Sequence, residues 1–473
     1  MKKPERLIGF VEYKGTNYPF EFDEDTFSLR LFPPTEEIWN QDSTISNIFS
    51  GLNTDLRKHE WIGTQRLQGV TSERNNIIFE VLEHKGNQNG FYTFSVNWYF
   101  YYSAKLDPNR IDGFKIAGEE VNYFFPPQKA LEPEIEFNED KQTLRKMSVT
   151  AKDQITESCG KYRVAKNTDA NMTVESYAAM HFFTHINPID ATSIFVTTFS
   201  KSVNLNSLIT AYRNLLLFFM YISYRTNMAI RSADVFSLND QQERDYQGLL
   251  VFKPRSEVET HKSAPDKIIK FSLLKSKTGA LITSMKNGEI GFQHLCDSIE
   301  DAHHYPTSRI IMILGEFERE FRNIYGKDCD RSADYILVKN DILALIENYR
   351  NSTSGKRRKY AGQLWKYVDN RDSSFETNLK KALKDCEEIL KPFTKKRYAG
   401  EYEEIISNLS SRMGEVRNGI AHSRLDLHFD AVHLCDIKIV EELLYAMRLK
   451  KLRLKTPEIQ KAINNLFIEH ISL

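Results

Sequence analysis

The sequence predicts an α+β protein in which a β-rich N-terminal region precedes a C-terminal bundle of helices. Up to about residue 200, short apolar runs alternate with turn residues, as in an antiparallel sheet or sandwich. From about residue 305 onward, apolar residues recur every three or four positions, which is the period of amphipathic helices. We therefore expect a β-rich domain over residues 1–200, a mixed α/β segment packing on it over 201–300, and an all-α bundle over 301–473.

The strands of the N-terminal domain are expected in six runs of residues. These runs are 7–13, 18–22, 27–32, 77–82, 91–102 and 194–199. Each contains β-branched or aromatic residues and is bounded by residues that favour turns. The Pro-Pro pairs at 33–34 and 126–127 mark breaks, because proline cannot donate a hydrogen bond to a sheet. This pattern predicts a twisted antiparallel sheet with one face in water.

The middle segment opens with a long apolar helix, expected over residues 203–230. Its most apolar run, residues 215–222, is far shorter than the roughly 20 residues that cross a membrane. We therefore expect a buried core helix and no membrane segment. Residues 249–252 and 268–274 are expected to form strands, with a charged loop that contains proline between them.

The C-terminal bundle is predicted from apolar residues at helical spacing. They are Ile310, Ile313, Leu314, Phe317, Phe321 and Ile324; Leu379, Leu383, Cys386 and Leu390; and Leu434, Ile437, Val440, Leu444 and Met447. A shorter helix is expected at 341–349, and a tail helix after Pro457. Short connections between such helices favour antiparallel neighbours.

Composition indicates a cytoplasmic protein without an overall charge. The 64 Lys and Arg residues balance 64 Asp and Glu residues, so any nucleic-acid site must be a local patch. The five cysteines are odd in number and lie far apart, without the spacing of a zinc site. The N-terminal residues contain no long apolar stretch of the kind that directs secretion. We expect reduced cysteines and no cofactor.

One further helix of the bundle carries residues whose side chains are suited to catalysis. Its apolar stripe comprises Tyr402, Ile405, Ile406, Leu409, Met413, Val416 and Ile420. At about 100° per residue, Asn418 and His422 lie together on the opposite face, near Ser411 and Gly414. Arg417 lies between the two faces, about 140° from His422. Arginine supplies planar donors that fit a phosphate, and histidine exchanges protons near neutral pH.

The angle between Arg417 and His422 favours a site shared by two chains. Within one chain the two side chains do not converge, whereas a two-fold axis on the small-residue face would place two copies of each in one cleft. A second Arg/His pair at the same spacing, Arg255 and His261, lies in a loop before Ser263-Ala264-Pro265. We attribute this second match to chance.

The run Arg417-Asn418-Gly419-Ile420-Ala421-His422, at the end of a helix in an all-α bundle, resembles the motif of the HEPN ribonuclease superfamily. The order of β-rich region, long apolar helix and bundle is similar to the ApeA-type bacterial anti-phage proteins. The resemblance implies a homodimer or a dimer of dimers, joined through the C-terminal bundles, that cuts RNA between two motifs. It also implies abortive-infection defence, in which the N-terminal region senses a phage protein or another infection signal.

Arg417, Asn418 and His422 are therefore the candidate catalytic residues of a metal-independent endoribonuclease. One His422 would take the proton of an RNA 2′-hydroxyl, and its copy would protonate the leaving 5′-oxygen. Arg417 would stabilise charge on the phosphate, and Asn418 would orient His422 or hold the phosphate. The products would be a 2′,3′-cyclic phosphate and a 5′-hydroxyl. Glu316, Glu318 and Glu320 are expected to form an exposed helix face, and pairing of one of them with Arg417 is the alternative.

Two basic runs are candidates for RNA contact. They are Lys356-Arg357-Arg358-Lys359 and Lys395-Lys396-Arg397. Aromatic residues such as Tyr360 and Tyr398 lie beside them, and cations interleaved with aromatics suit looped RNA, including tRNA loops. A third run at 448–455 is more typical of the cationic end of a helix.

Two other functions stay open at this point. The bundle is also compatible with a non-catalytic RNA-binding or dimerisation scaffold, in which His422 only ends the helix. Alternatively, the N-terminal region carries the main activity as a ligand- or protein-binding module. The sequence contains no Walker A loop, dinucleotide fingerprint, HExxH motif or nucleophile elbow, which argues against an NTPase, a zincin and a serine hydrolase.

Overall fold

The computed structural model describes residues 6–32, 64–88, 91–137, 144–180, 189–254, 257–326, 333–369, 375–421 and 429–472. It confirms the α+β class, with an antiparallel β-rich N-terminal region and a helical C-terminal region. The chain divides into two compact units. The N-terminal unit comprises Met1–Met220, Arg225–Pro265 and Lys270–Thr283, and the C-terminal unit comprises Tyr221–Tyr224, Asp266–Ile269 and Ser284–Leu473. The predicted 201–300 segment is thus divided between them.

The N-terminal unit is built on an antiparallel sheet. Its described strands are β1 (Leu7–Tyr13), β2 (Thr16–Asp23), β3 (Ser28–Leu31), β4 (Gln65–Thr71), β5 (Asn76–Gln88), β6 (Phe91–Tyr102), β7 (Ile111–Ala117), β8 (Leu131–Phe137), β9 (Leu144–Ala151), β10 (Ile155–Ala165), β11 (Thr168–Met180), β12 (Ile189–Val203), β13 (Ser232–Leu238) and β14 (Arg244–Phe252). The order in the main sheet is β10-β11-β12-β7-β13-β14-β6-β3-β2-β1-β4-β5, and β8 pairs with β9 separately. Because β5 also pairs with β6, strands β1 to β6 close into a barrel.

The barrel encloses an aromatic core that the alternation of β1 illustrates. Leu7 and Val11 point inward and are at most 2% exposed, whereas Phe10 on the outer face is 59% exposed. The barrel needs glycine where β1 crosses β4, because a Cβ atom on Gly9 would lie 2.1 Å from the carbonyl oxygen of Val70. Edge-to-face ring pairs fill the interior between the strands.

Four helices accompany the strands. They are α1 (Glu119–Phe124), α2 (Leu205–Ser223), α3 (Phe271–Leu274) and α4 (Thr278–Lys286). Helix α2 confirms the predicted core helix. It is the one helix of the described residues long and apolar enough to cross a membrane, but 67% of it is buried in protein, as in the core of a soluble protein.

The predicted strand at 268–274 is wrong. Its first residues pair with no described strand, and its last four residues form α3. The spacing of Phe271 and Leu274, which are both buried, fits one helical turn as well as it fits a strand. A short apolar run does not distinguish the two structures by its period, and here the buried position of both residues favours the turn.

The C-terminal unit is helical throughout its described length apart from turns and loops. Its long helices are α5 (Thr307–Tyr325), α6 (Ala333–Ser352), α7 (Gly355–Asp369), α8 (Phe375–Asp385), α9 (Glu387–Arg397), α10 (Tyr402–Ala421), α11 (Ala431–Lys451) and α12 (Thr456–Phe467). The apolar stripes predicted for α5, α10 and α11 are buried apart from Ile324, Ile420 and Leu434 near the helix ends, which are half-buried. The sequence did not predict helix α7. This helix packs mainly against α6.

Helix α11 lies at the centre of this unit and buries four charged residues. Asp436, Glu441, Glu442 and Arg448 are each at most 1% exposed. Each has a partner of opposite charge on another helix, which a buried charge requires. Burial raises the pKa of Glu442 to about 7, although its arginine partner opposes the shift. These pairs fix the helices that carry the candidate site.

Candidate functional site

Arg417 lies in the last turn of α10 and is held by an acid on α5. Its Nε donates to Oε1 of Glu318 over 3.0 Å. The Arg417 side chain is 42% exposed and that of Glu318 is 26% exposed. Arg417 makes no other hydrogen bond to a described residue, so the donors of its two terminal nitrogens have no described acceptor. The pair thus orients the guanidinium and leaves the two-pronged edge that binds phosphate oxygens.

The other glutamates of α5 correct the expectation of an exposed acidic face. Glu316 and Glu320 are 7% and 3% exposed. Glu316 accepts a hydrogen bond from the backbone nitrogen of Gly291 at 2.6 Å, and Glu320 accepts one from Arg448 at 2.5 Å. Burial raises the pKa of both carboxyl groups. Glu318 alone of the three is available at the edge of the bundle, and it takes the alternative role of partner to Arg417.

The remaining motif residues follow directly along the chain. Asn418 is exposed on α10, one position after Arg417. His422 lies outside the described residues, as does Arg255 of the second Arg/His match. The His261 ring of that match contacts the hydroxyl of Ser263 at 2.7 Å, within a loop, as predicted from its turn residues.

The small-residue face of α10 is approached closely by another helix of the same chain. Gly414 is buried, and a Cβ atom there would lie 3.4 Å from the Cβ of Glu376 on α8. Two turns further back on α10, Ser407 accepts a hydrogen bond from Lys380 of α8 at 3.1 Å. Helix α8 therefore covers the part of this face around Gly414. Among the described residues, the part of the α10 face that stays exposed is its C-terminal end with Asn418.

A second cluster of polar residues, which no sequence motif selects, lies at the start of α11. Arg412 of α10 binds both carboxylate oxygens of the buried Asp436, at 2.7 and 2.8 Å. The hydroxyl of Tyr398 donates to the same carboxylate at 2.6 Å, and burial raises the pKa of that tyrosine. Two oppositely charged partners 24 residues apart in sequence leave no local pattern, so only the packing reveals them.

Asp430 and His433 complete this cluster. Asp430 caps α11 by accepting from the backbone nitrogen of His433 at 2.9 Å, which lowers the pKa of Asp430. The Nδ1 atom of His433 also lies 2.7 Å from the same carboxylate oxygen. An acid that holds one ring nitrogen fixes the orientation of the imidazole and turns the other nitrogen outward. No motif in the sequence selects His433, whereas the structure gives it this orienting partner.

The two basic runs differ in their surroundings. Lys356, Arg357, Arg358 and Lys359 lie on the first turns of α7 and are all exposed, as is Lys395 on α9. The rest of the second run is engaged within the protein. The Lys396 ammonium group donates to Glu469 at 2.8 Å. The neighbouring guanidinium of Arg397 is 8% exposed and bound to Glu442 and Glu469 at 2.8 and 2.5 Å.

Comparison of the chain with family models, with curated proteins and with solved structures gave no match. The functional argument therefore rests on the residues themselves and their geometry.

Proposed function

We propose that the protein is a metal-independent endoribonuclease whose site is formed by Arg417, Asn418 and His422. The observation that carries the proposal is the state of Arg417. Its Nε is anchored by Glu318, its side chain is 42% exposed, and its terminal nitrogens have no hydrogen-bond partner among the described residues. An arginine that only closes an ion pair would direct its two-pronged edge at the acid. This one leaves that edge without a described acceptor, and its donors fit a phosphodiester.

The proposed reaction uses the 2′-hydroxyl of RNA as nucleophile. One His422 removes the hydroxyl proton while the oxygen attacks the adjacent phosphorus, and a second, protonated imidazole gives its proton to the departing 5′-oxygen. Arg417 neutralises the charge that develops on the non-bridging oxygens. The P–O5′ bond breaks as the P–O2′ bond forms, which yields a 2′,3′-cyclic phosphate and a 5′-hydroxyl. The two histidines exchange protonation states, so no proton is gained or lost overall.

The second imidazole comes from a second chain in this proposal. A homodimer, or a dimer of dimers, joined through the C-terminal bundle would bring two copies of His422 into one cleft. An exposed apolar stripe on α6 supports self-association: Val338, Ile342, Leu345 and Tyr349 recur at helical spacing and are 41–69% exposed. Apolar patches of this kind mark surfaces that a partner covers.

RNA contact is proposed for the first turns of α7. Lys356 and Tyr360 lie four residues apart on one helix face, and Tyr360 is 58% exposed. Cations beside an exposed ring suit a looped RNA, whose phosphates pair with the charges while an unstacked base covers the ring. Arg397 is left out of this surface because its charge is balanced by two buried carboxylates.

We also propose that the biological setting is anti-phage defence in the cytoplasm by abortive infection, with host or phage RNA, including tRNA, as the substrate. The support for it is the resemblance of the motif and of the order of parts to ApeA-type proteins. In this setting the N-terminal unit regulates the bundle and responds to a phage protein or another infection signal. Cells that express the wild-type protein should then restrict phage, and cells that express the His422→Ala protein should not.

The decisive experiment measures RNA cleavage by the full-length protein. Total tRNA and a synthetic stem-loop are incubated with wild-type, His422→Ala and His304→Ala proteins, in EDTA and in magnesium. His304 is an exposed histidine of the same unit and serves as the control. We expect metal-independent cleavage that His422→Ala abolishes and His304→Ala retains, and that fails where the scissile nucleotide lacks its 2′-hydroxyl. Activity that requires magnesium would contradict the proposed mechanism.

A His433→Ala protein separates the two imidazoles that this region offers. Loss of cleavage in His433→Ala with full activity in His422→Ala would move the site to the Asp430/His433 pair. Absence of RNA cleavage in the wild-type protein, with dimers intact, would support the non-catalytic scaffold instead. The exposed stripe on α6 is the observation that favours this second function.

A further inference from the structure

The N-terminal unit contains a cavity that the proposed ribonuclease site does not use. Its volume is about 540 Å³, and all its lining residues belong to this unit, from α2, β6, the end of β14 and the segment before β13. Cavities of roughly 300–1,000 Å³ hold small organic ligands in proteins. The size therefore fits a small molecule and not a macromolecular chain.

The charge of the lining is positive. Arg213, Arg231 and Lys253 line the cavity, and no acidic residue of the described part of the chain does. Arg231 is exposed and makes no side-chain hydrogen bond or ion pair with a described residue. Lys253 makes only a long contact of 3.4 Å with the hydroxyl of Ser95. These two cations are therefore essentially unneutralised, and an anion in the cavity would pair with them.

The third cation is only partly neutralised. Arg213 lies 3.8 Å from Oε2 of Glu80, which also accepts a hydrogen bond from Asn97. The other oxygen of Glu80, Oε1, lies 3.9 Å from Arg66. One carboxylate thus serves two arginines. The Arg213 guanidinium also lies 5.7 Å from the ring centre of Phe252, so it is held at the cavity wall by its hydrocarbon neighbours as well as by charge.

One part of the cavity wall is apolar and adaptable. Met220 and Met228 line it and are 3% and 7% exposed, together with Phe252. The Phe252 ring is stacked on Tyr212 with a centroid separation of 4.7 Å and an angle of 7°, which fixes its plane. Thioethers make favourable contacts with the edges and faces of aromatic rings. A flat aromatic group is thus the best occupant of this wall.

We propose that this cavity binds a nucleotide, with its phosphate at Arg213, Arg231 and Lys253 and its base between the two methionines and Phe252. A phosphate monoester carries up to two negative charges and matches the excess of cations, whereas a single carboxylate would leave most of that excess uncompensated. Arginine forks bind phosphate oxygens in pairs. The proposal does not depend on ribonuclease activity, since it concerns binding to the other unit.

Isothermal titration calorimetry on the full-length protein tests it. The probes are the mono- and triphosphates of adenosine, guanosine, cytidine and uridine. The four nucleosides and inorganic phosphate are titrated separately as the fragments of these ligands. We expect at least one nucleotide to bind with a Kd of about 100 µM or tighter, and its nucleoside and phosphate to bind at least about tenfold more weakly. Binding of none of the nucleotides below about 1 mM would overturn the proposal.

Two substitutions place the ligand in the cavity. Arg231→Ala and Lys253→Ala should each weaken nucleotide binding about tenfold or more, because each removes a charge-assisted contact. Arg110→Ala, at an exposed arginine of the same unit outside the cavity, should leave the affinity unchanged and is the matched control. Because the Arg231 side chain bonds to no residue that the structure describes, its substitution should leave the fold intact, which circular dichroism verifies. Wild-type affinity in both cavity variants would place the ligand elsewhere and refute the site.

Discussion

Substitution of Arg417 by alanine separates a catalytic arginine from a structural one. The ion pair with Glu318 has a length of 3.0 Å, but its side chains are 42% and 26% exposed. Solvent screens such a pair, so its removal should cost at most about 1 kcal/mol of unfolding free energy. A preorganised donor at a developing phosphate charge contributes far more to the rate, and its loss should reduce the cleavage rate about 10²- to 10³-fold.

The chain offers a matched control for this experiment. Arg350 and Glu347 form an ion pair of 2.9 Å in the same unit, and both side chains are 38% exposed. Arg350→Ala should therefore cost a similar amount of stability and leave RNA cleavage unchanged. Glu318→Gln keeps the shape but weakens the anchor of Arg417, so its rate should lie between those of the wild type and Arg417→Ala.

The assays are single-turnover cleavage of a labelled stem-loop and urea denaturation followed by circular dichroism. The reasoning would be refuted by equal rates in Arg417→Ala and Arg350→Ala, or by a loss of several kcal/mol of stability in Arg417→Ala. The first result would mean that the exposed nitrogens of Arg417 do not meet the phosphate. The second would mean that the residue is structural.

Three further outcomes follow from other parts of the structure. Arg448→Met leaves the buried carboxylate of Glu320 without a cation and should destabilise the protein by about 3–5 kcal/mol in urea denaturation. Lys450→Met removes an ion pair with Asp385 whose side chains are 43% and 42% exposed, and it should cost less than about 1 kcal/mol. Burial lowers the pKa of His294 to about 3, so the folded state loses stability as the pH falls from 6.5 towards 3. At about pH 5 the loss from this residue is about 2 kcal/mol relative to pH 6.5. His294→Leu should abolish this loss when urea denaturation is compared at pH 6.5 and at about pH 5. Leu345→Asp places a charge on the exposed α6 stripe and should convert a dimer to a monomer in light scattering, whereas Asn340→Asp, elsewhere on the same helix, should not.

The apolar stripe of α10 shows what sequence patterns predict well. Tyr402, Ile406, Leu409 and Met413 recur at helical spacing, and all are buried. Burial of a continuous stripe is a local property, because the helix period alone decides which residues share a face. The same period placed Asn418 on the other side, where it is exposed.

The basic run at the end of α9 shows what such patterns miss. Lys395, Lys396 and Arg397 form one cationic run in sequence, but only the first is left without a carboxylate partner among the described residues. The acids that bind Arg397 lie 45 and 72 residues further along the chain, and the acid that binds Lys396 lies 73 residues further along. Whether a charge is free or buried depends on such distant partners, and no local spacing encodes them.

The four buried charges of α11 also determine how this helix can be positioned along its own axis. Their partners come from three helices, α5, α9 and α10. A slide of one helical turn, about 5.4 Å, would still align apolar residues with apolar neighbours, because the apolar stripe repeats at nearly that interval. It would, however, separate every acid from its cation at the same time. The buried ion pairs therefore determine the axial position of α11, and they select one register among several that hydrophobic packing alone would accept.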